Sequence, residues 1–242
     1  MSPSRRRRRR RWLRRILALA VLALAAWAVW EASRWPDVRE VATRNPRTTA
    51  FIERYRAEQR AIGRDGRVAW TWVPYAVISP NLKRAVLVAE DIGFFTHHGF
   101  ALDEMREALT RAVERAESPR GASTITQQLA KNLWLSPSRD PLRKTREAIL
   151  TWELERRLGK RRIFELYLNV VELGRGVYGA EAASRHYFDK AAADLDEHEA
   201  ALLAASLPNP ALWHPGSASR YYQRYVETIE RRMSRAELRL PN

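Results

Sequence analysis

The sequence predicts a mainly α-helical domain carried behind one N-terminal transmembrane helix. Three observations lead there. Residues 16–30, ILALAVLALAAWAVW, form an apolar run without a charge, directly behind a block of arginines. From Ser79 almost to the end, apolar residues recur with the 3.6-residue period of amphipathic helices. Only VAWTWVPY, residues 68–75, alternates like a strand.

The N-terminal segment accounts for most of the chain's charge. Arg5 to Arg11, with Arg14 and Arg15, supply nine positive charges of the formal +15; without those nine, the 43 basic residues fall to 34 against 28 acidic ones, a net of +6. Attraction of arginines to anionic lipid explains such a tail, and no nucleic acid is needed as a partner. Fifteen apolar residues fall short of the roughly 20 that span a bilayer. Trp12 and Leu13 extend the stretch, Arg14 and Arg15 can snorkel, and Trp27, Trp30 and Trp35 suit the far interface. A cleaved signal peptide competes, since Ala26-Trp27-Ala28 fits a small-x-small site. The long, Trp-ended apolar run favours an uncleaved anchor. Either way the arginines stay cytoplasmic and residues from about 36 onward are exported. The absence of cysteine excludes disulfides, thiolate catalysis and cysteine-bound zinc.

These features divide the chain into a basic tail (1–15), an anchor (16–35), a linker and membrane-proximal segment with one short helix (36–78), and one helical domain (79–242). Within that domain the helical stretches are 81–91, 102–116, a helix starting at Ser123, 143–158, 160–173, 179–188, 196–207 and a closing helix, SRYYQRYVETIERRMSRAEL. Pro137, Pro141, Pro208, Pro210 and Pro215 punctuate them.

The segment GASTITQQLAKNLWL (121–135) carries an unusual polar stripe. With Ser123 as N-cap, Ile125, Leu129 and Leu133 share one face, and Thr124, Gln127, Gln128 and Lys131 share another. A solvated helix face is the ordinary explanation. Such faces are rich in Glu and Lys, however, whereas this one offers hydroxyls and amides around one lysine. A helix N-terminus also offers free N–H groups to an anion. The stripe therefore suggests a polar or anionic ligand.

Two carboxylates stand out. In AEDIGFFTHHG (89–99), Glu90 ends an apolar run, and apolar surroundings raise a carboxyl pKa toward the range of a general base. A solvated Glu-Asp pair at a helix end reads equally well from this segment alone. In RKTREAILTWELE (143–155), Arg143–Glu147 and Thr151–Glu155 are i,i+4 pairs, which alone read as surface patterning. Arg139, Arg143 and Lys144 nevertheless form a basic cluster around Glu147. Two separated carboxylates near a basic pocket suit glycosyl transfer with an anionic leaving group.

Other motifs carry less. His97-His98 has no third histidine at ligand spacing and no HExxH. GRGVYG (174–179) matches GxGxxG but follows a helical pattern rather than a strand. No Walker A sequence occurs, and no serine is followed by lysine in an SxxK centre.

Taken in order, AEDIGFFTHHG, GASTITQQLAKNLWL, RKTREAILTWELE, KRRIFELYLNVVELGRGVYGAEAASRHYF and EAALLAASLPNPALWHP resemble the five motifs of peptidoglycan glycosyltransferases, over about residues 85–215. The chain looks like the monofunctional, membrane-anchored biosynthetic form rather than the bifunctional penicillin-binding form. The resemblance implies a lysozyme-like helical head with a small membrane-proximal lobe. It implies polymerisation of lipid II, a disaccharide-pentapeptide on undecaprenyl diphosphate, with inversion and release of the lipid diphosphate. Its partners would be lipid II, the growing glycan strand, the bacterial inner membrane and other wall-synthesis proteins.

By matched position, Glu90 would be the base that takes the proton from the acceptor 4-hydroxyl. Glu147 would organise the diphosphate site directly or through a divalent cation (Mg or Mn), no other cofactor being implied. Lys131, Arg139, Arg143 and Lys144 would neutralise the leaving group. Ser123, Thr124, Gln127, Gln128 and Asn132 would bind sugar or phosphate oxygens. Tyr167, Asn169, Gly174, Tyr178 and Gly179 would build the fold. Ala122 stands where many members carry a second glycine, and Asp140-Pro141 makes the place of Arg139 less secure. A lysozyme-like glycan-cleaving enzyme and a catalytically silent, membrane-anchored scaffold are the rival readings.

Overall fold

The computed structural model describes residues 3–101, 106, 110, 123–137, 140–238 and 240. The expected helix at 102–116 thus lies outside the described residues except for Arg106 and Thr110, as do Gly121, Ala122 and Arg139. The chain forms two compact units, residues 1–37 and 38–242.

The first unit is one helix, α1 (Pro3–Ser33). Its segment Trp12–Ser33 has 22 residues, a mean hydropathy of 1.9 and no burial, so it is long and apolar enough to cross a membrane. At 1.5 Å per residue it measures about 33 Å, close to the hydrocarbon thickness of a bilayer.

The second unit is helical apart from one small sheet. Its elements are α2 (Glu40–Thr43), α3 (Ala50–Ala61), β1 (Ala69–Trp70), a 3-10 turn (Tyr75–Val77), α4 (Pro80–Glu90), α5 (Ile125–Trp134), α6 (Pro141–Arg157), α7 (Lys160–Val170), β2 (Glu172–Gly174), β3 (Val177–Tyr178), α8 (Ala180–Phe188), a second 3-10 turn (Ala192–Asp194), α9 (Glu197–Ser206) and α10 (Arg220–Arg235). Two groups of helices make the core. The alanine-rich α9 lets α4 approach closely, and α10 packs on both. On the other side α5 is enclosed by α3, α6 and α7.

That enclosure changes the expected character of α5. It is not amphipathic in the ordinary sense: Thr126, Gln127 and Asn132 are buried along with Ile125, Leu129 and Leu133. Only Gln128, Lys131 and Trp134 keep partial exposure. A polar residue on a helix surrounded by three others must find protein partners, and these do.

The glycine string GRGVYG is a hairpin, so the helix expected over 160–173 ends at Val170 and Glu172–Gly174 is strand. Two glycines are required by crowding. A Cβ on Gly174 would lie 1.9 Å from the Tyr187 hydroxyl, and Gly179, at φ +80°, would bring one within 2.5 Å of the Asn169 carbonyl. The expected strand at 68–75 shortens to Ala69–Trp70, which pairs in parallel with β3. Asn169 holds the rest of that segment: its amide exchanges hydrogen bonds with the Val73 backbone (2.9 and 3.0 Å), and its carbonyl accepts from the Trp70 indole (2.7 Å).

Candidate active site

The site begins at the end of α4. Ser79 caps this helix and Pro80 occupies its first turn, a strong start signal. The run Ala85, Val86, Leu87, Val88 is buried and carries the chain to Glu90. A helix end leaves its last carbonyls unpaired, and here side chains from α10 fill two of them. Arg232 donates to the Val88 carbonyl (3.1 Å) and the Tyr225 hydroxyl donates to that of Ala89 (3.2 Å). The Leu87 carbonyl accepts from the Asp91 N–H (2.9 Å). Glu90 thus sits on a helix end fastened from outside.

The Glu90 carboxylate receives one amide donor, Gln128 Nε2, at 2.7 Å. Burial pushes its pKa up; the Gln128 hydrogen bond and the Lys131 charge pull it down in part, and Asp91 adds to the rise. Gln128 is itself oriented. The Tyr167 hydroxyl, fully buried, donates to Gln128 Oε1 at 3.0 Å, which directs the amide nitrogen toward Glu90. Burial, reinforced by the negative charges of Glu90 and Asp91, holds the Tyr167 pKa well above its ordinary value, so the phenol stays a donor.

Asp91, beside Glu90, does different work. It is buried and accepts from the N–H of Ile125 (3.0 Å), the first residue of α5, and from His97 Nε2 (2.9 Å). His97 Nδ1 in turn accepts from the Gly99 N–H (3.1 Å), so the ring is held as the Nε2–H tautomer. Among the described residues no group of three or more His, Asp or Glu gathers to hold a metal ion.

This corrects two expectations about α5. The N-cap is Thr124, not Ser123: Thr124 Oγ1 accepts from the Gln127 N–H (3.3 Å), and Gln127 Oε1 reaches back to the Thr124 N–H (3.0 Å) in a capping box. The helix start is also not open to an external anion, because the protein's own Asp91 occupies it. Thr124 further donates to the Gly99 carbonyl (2.7 Å), and Asn132 donates to the Gln128 carbonyl (2.8 Å). Thr124, Gln127 and Asn132 are therefore buried with protein partners, while Ser123 is exposed.

One turn beyond Gln128, Lys131 lies in the field of both acids. Burial lowers its pKa first; Glu147 and Glu90 raise it, and Arg143 and Lys144 lower it. Its ammonium stands 5.8 Å from the Phe51 ring on α3. On α6, which Asp140 caps through the Leu142 N–H (3.0 Å), Glu147 is 3 % exposed. Arg143 Nη1 meets one of its oxygens at 2.6 Å and Lys144 Nζ meets the other. This pair is buried chemistry rather than surface patterning. Arg143 and Lys144 thus take one acceptor position on each Glu147 oxygen, about two of the roughly four a carboxylate offers. The expected Thr151–Glu155 pair does not form: Thr151 donates to the Glu147 carbonyl (2.7 Å), and Glu155 accepts from Thr126 (2.5 Å) and Lys160 (2.8 Å), tying α5, α6 and α7 together.

The structure thus brings Glu90, Gln128, Lys131, Arg143, Lys144 and Glu147 into one electrostatic neighbourhood. Sequence reasoning missed Asp91 as the α5 anchor, Tyr167 as the residue behind Gln128, and Tyr225 behind Ala89. Each acts across 34 or more positions, and no local spacing signals it.

A desolvated acid beside a cluster of cations is suited to acid–base chemistry on an anionic substrate. The chain belongs to the Transglycosylase family, whose pattern matches residues 58–234. Three similar proteins are each named biosynthetic peptidoglycan transglycosylase. That of Thiobacillus denitrificans is 50% identical over 189 residues, covering 78% of this chain and 82% of its own. That of Azoarcus sp. is 44% identical over 227 residues (94% and 96%), and that of Bordetella avium 40% over 235 residues (96% and 98%).

Proposed function

We propose that this chain polymerises lipid II into linear peptidoglycan strands, releasing undecaprenyl diphosphate. In this reading Glu90 accepts the proton of the acceptor sugar's 4-hydroxyl as that oxygen attacks the donor's anomeric carbon. The anomeric C–O bond to diphosphate breaks on the opposite face, so configuration inverts. Charge developing on the leaving diphosphate meets Lys131, Arg143 and Lys144, an arrangement that stabilises the transition state more than the ground state. Arg139, in the same sequence cluster, is assigned to this group as well. Glu147 holds Arg143 and Lys144 in place, and these side-chain cations neutralise the diphosphate. Gln128 orients Glu90, and the exposed Ser123 offers a hydroxyl to sugar or phosphate.

The observation that carries this reading is that Glu90, raised by burial, shares Lys131 with the cation-held Glu147. Residues 79–242 form the catalytic part in this account. The helix Trp12–Ser33 anchors it in the cytoplasmic membrane, the arginine tail stays inside, and the catalytic domain works outside.

The test is polymer formation from fluorescent lipid II by purified full-length protein, resolved by gel. Ladders of glycan from the wild type are expected. No polymer, or shortening of finished strands in place of synthesis, would overturn the assignment.

A further inference from the structure

Phe51, whose ring lies 5.8 Å from the Lys131 ammonium, also lines a pocket of about 270 Å³ between α3 and the β2–β3 hairpin. Arg54, Tyr55 and Glu58 follow it on α3 at i+3, i+4 and i+7, so one helix face makes this wall. The hairpin supplies Glu172, Arg175 and Tyr178. Tyr178 is buried and meets Tyr55 edge-on, with centroids 6.3 Å apart at 73°. The pocket therefore combines aromatic rings with charges of both signs.

These charges are not all matched within the protein. Arg54 Nε meets Glu58 Oε1 at 2.6 Å. Glu172 accepts on one oxygen from the Gly176 N–H (3.1 Å). Its second oxygen and the Arg175 guanidinium have no hydrogen-bond partner among the described residues. Burial raises the Glu172 pKa, the Gly176 N–H lowers it, Glu58 adds to the rise, and Arg175 and Arg54 lower it in part. Two carboxylates that repel each other beside aromatic rings suit an ammonium, which both kinds of group attract. The unmatched guanidinium suits a carboxylate. A diphosphate would meet Glu58 and Glu172 as like charges. A neutral sugar can hydrogen-bond to either sign but neutralises neither. A zwitterion, with ammonium and carboxylate on one carbon, satisfies both. The volume is below the ~300–1,000 Å³ of sites for whole small molecules, which suits the end of a chain.

We propose that this pocket reads the peptide arm of the substrate by holding the zwitterionic end of a diamino acid side chain. Glu172 and Glu58 take the ammonium against the Tyr55 ring, and Arg175 takes the carboxylate. The proposal rests on the lipid II reading and adds to it a selection among stem peptides. Phe51 makes the connection, because it belongs both to this pocket and to the surroundings of Lys131. In lipid II the sugar that bears the diphosphate also bears the peptide. With the diphosphate at Lys131, a residue three places along an extended stem reaches about 10 Å further.

The experiment compares three lipid II substrates with full-length protein in detergent. Their stems carry meso-diaminopimelate (ammonium and carboxylate), lysine (ammonium alone) or Nε-acetyl-lysine (neither). For the wild type, KM should rise about tenfold or more at each step along that series, the scale of losing one charged hydrogen bond. Arg175→Met should erase the difference between the first two substrates, and Glu172→Gln that between the last two. Arg175 is exposed, and glutamine can still accept from the Gly176 N–H, so both variants should unfold at the wild-type temperature. Equal KM for all three substrates in the wild type would overturn the proposal. So would variants that weaken all three alike, which would mark both residues as structural. If the wild type makes no polymer, the polymerase reading falls, and calorimetric titration with the three free stem pentapeptides decides the pocket. The same order of binding, flattened by the same variants, would keep it, and no binding or no order would overturn it.

Discussion

Glu90 ends one helix and Glu147 lies within another, and the surroundings treat them oppositely. Glu90 keeps a single amide donor and a raised pKa, whereas Glu147 is gripped by a guanidinium and an ammonium. Both lie in the field of Lys131. A carboxylate whose two oxygens each hold a cation has about half of its roughly four acceptor positions taken. One that burial destabilises in its charged form gains by taking a proton. The protein pairs Glu147 directly with two cations and leaves Glu90 with an amide, the arrangement that the proposed base would need.

Replacing each acid by its amide should separate the two regions most sharply at Glu90. Glu90→Gln is expected to lower lipid II turnover by ~10²–10⁴. It should also make the protein more stable at neutral pH. The folded pKa of Glu90 lies above its unfolded value, so its favourable contribution is present below about pH 4.3 and is lost as pH rises through the folded pKa. Thermal unfolding should therefore rise for the variant at pH 7 and match wild type near pH 4. A lower unfolding temperature at pH 7 would mean that burial does not govern this acid.

Lys131→Met should reduce turnover by about 10²–10³, the scale of losing one transition-state donor. Lys131 holds the Glu90 pKa down, so its loss should also move the acidic limb of the pH–rate profile to higher pH. An unmoved limb would separate Lys131 from Glu90.

Glu147→Gln should have the opposite stability sign to Glu90→Gln. It leaves Arg143 and Lys144 facing each other without their carboxylate, at a cost of roughly 3 kcal/mol, the low end for a broken buried pair because Lys144 is half-exposed. Denaturant unfolding at pH 7 would show it. No loss of stability would return this pair to the class of surface ion pairs.

The smallest effect is expected at Tyr167→Phe. Without the phenol the Gln128 amide is free to turn, and Glu90 loses a donor that lowers its pKa. The acidic limb should shift upward, with about a tenfold loss of rate at low pH and less at high pH. A uniform loss across pH would mark Tyr167 as a packing residue only.

Much of this was legible in the sequence. The apolar run behind the arginines and the periodicities of α4, α6, α7, α9 and α10 follow from local spacing, which marked Glu90, Lys131 and Glu147 as candidates while their roles came from the family resemblance. The Arg143–Glu147 pair was legible as a pair but not as a buried one, since burial depends on what lies across α6. The stripe on α5 was legible as unusual, but its partners were not. Thr124 and Gln127 close a cap, and Asn132 turns to its own helix, because three other helices exclude water from them.

The residue order by itself determined the helices and the apolar N-terminal segment, because propensity, caps and periodicity act within a few residues, and it offered the two acids only as candidates. Only the tertiary structure decided which acid is buried beside an amide and which is paired with cations. It sets Asp91 against the start of α5, Tyr167 behind Gln128, and Tyr225 under Ala89. Desolvation and charge act through space, and their balance at Glu90 and Glu147 depends on neighbours that the chain brings from far along its length.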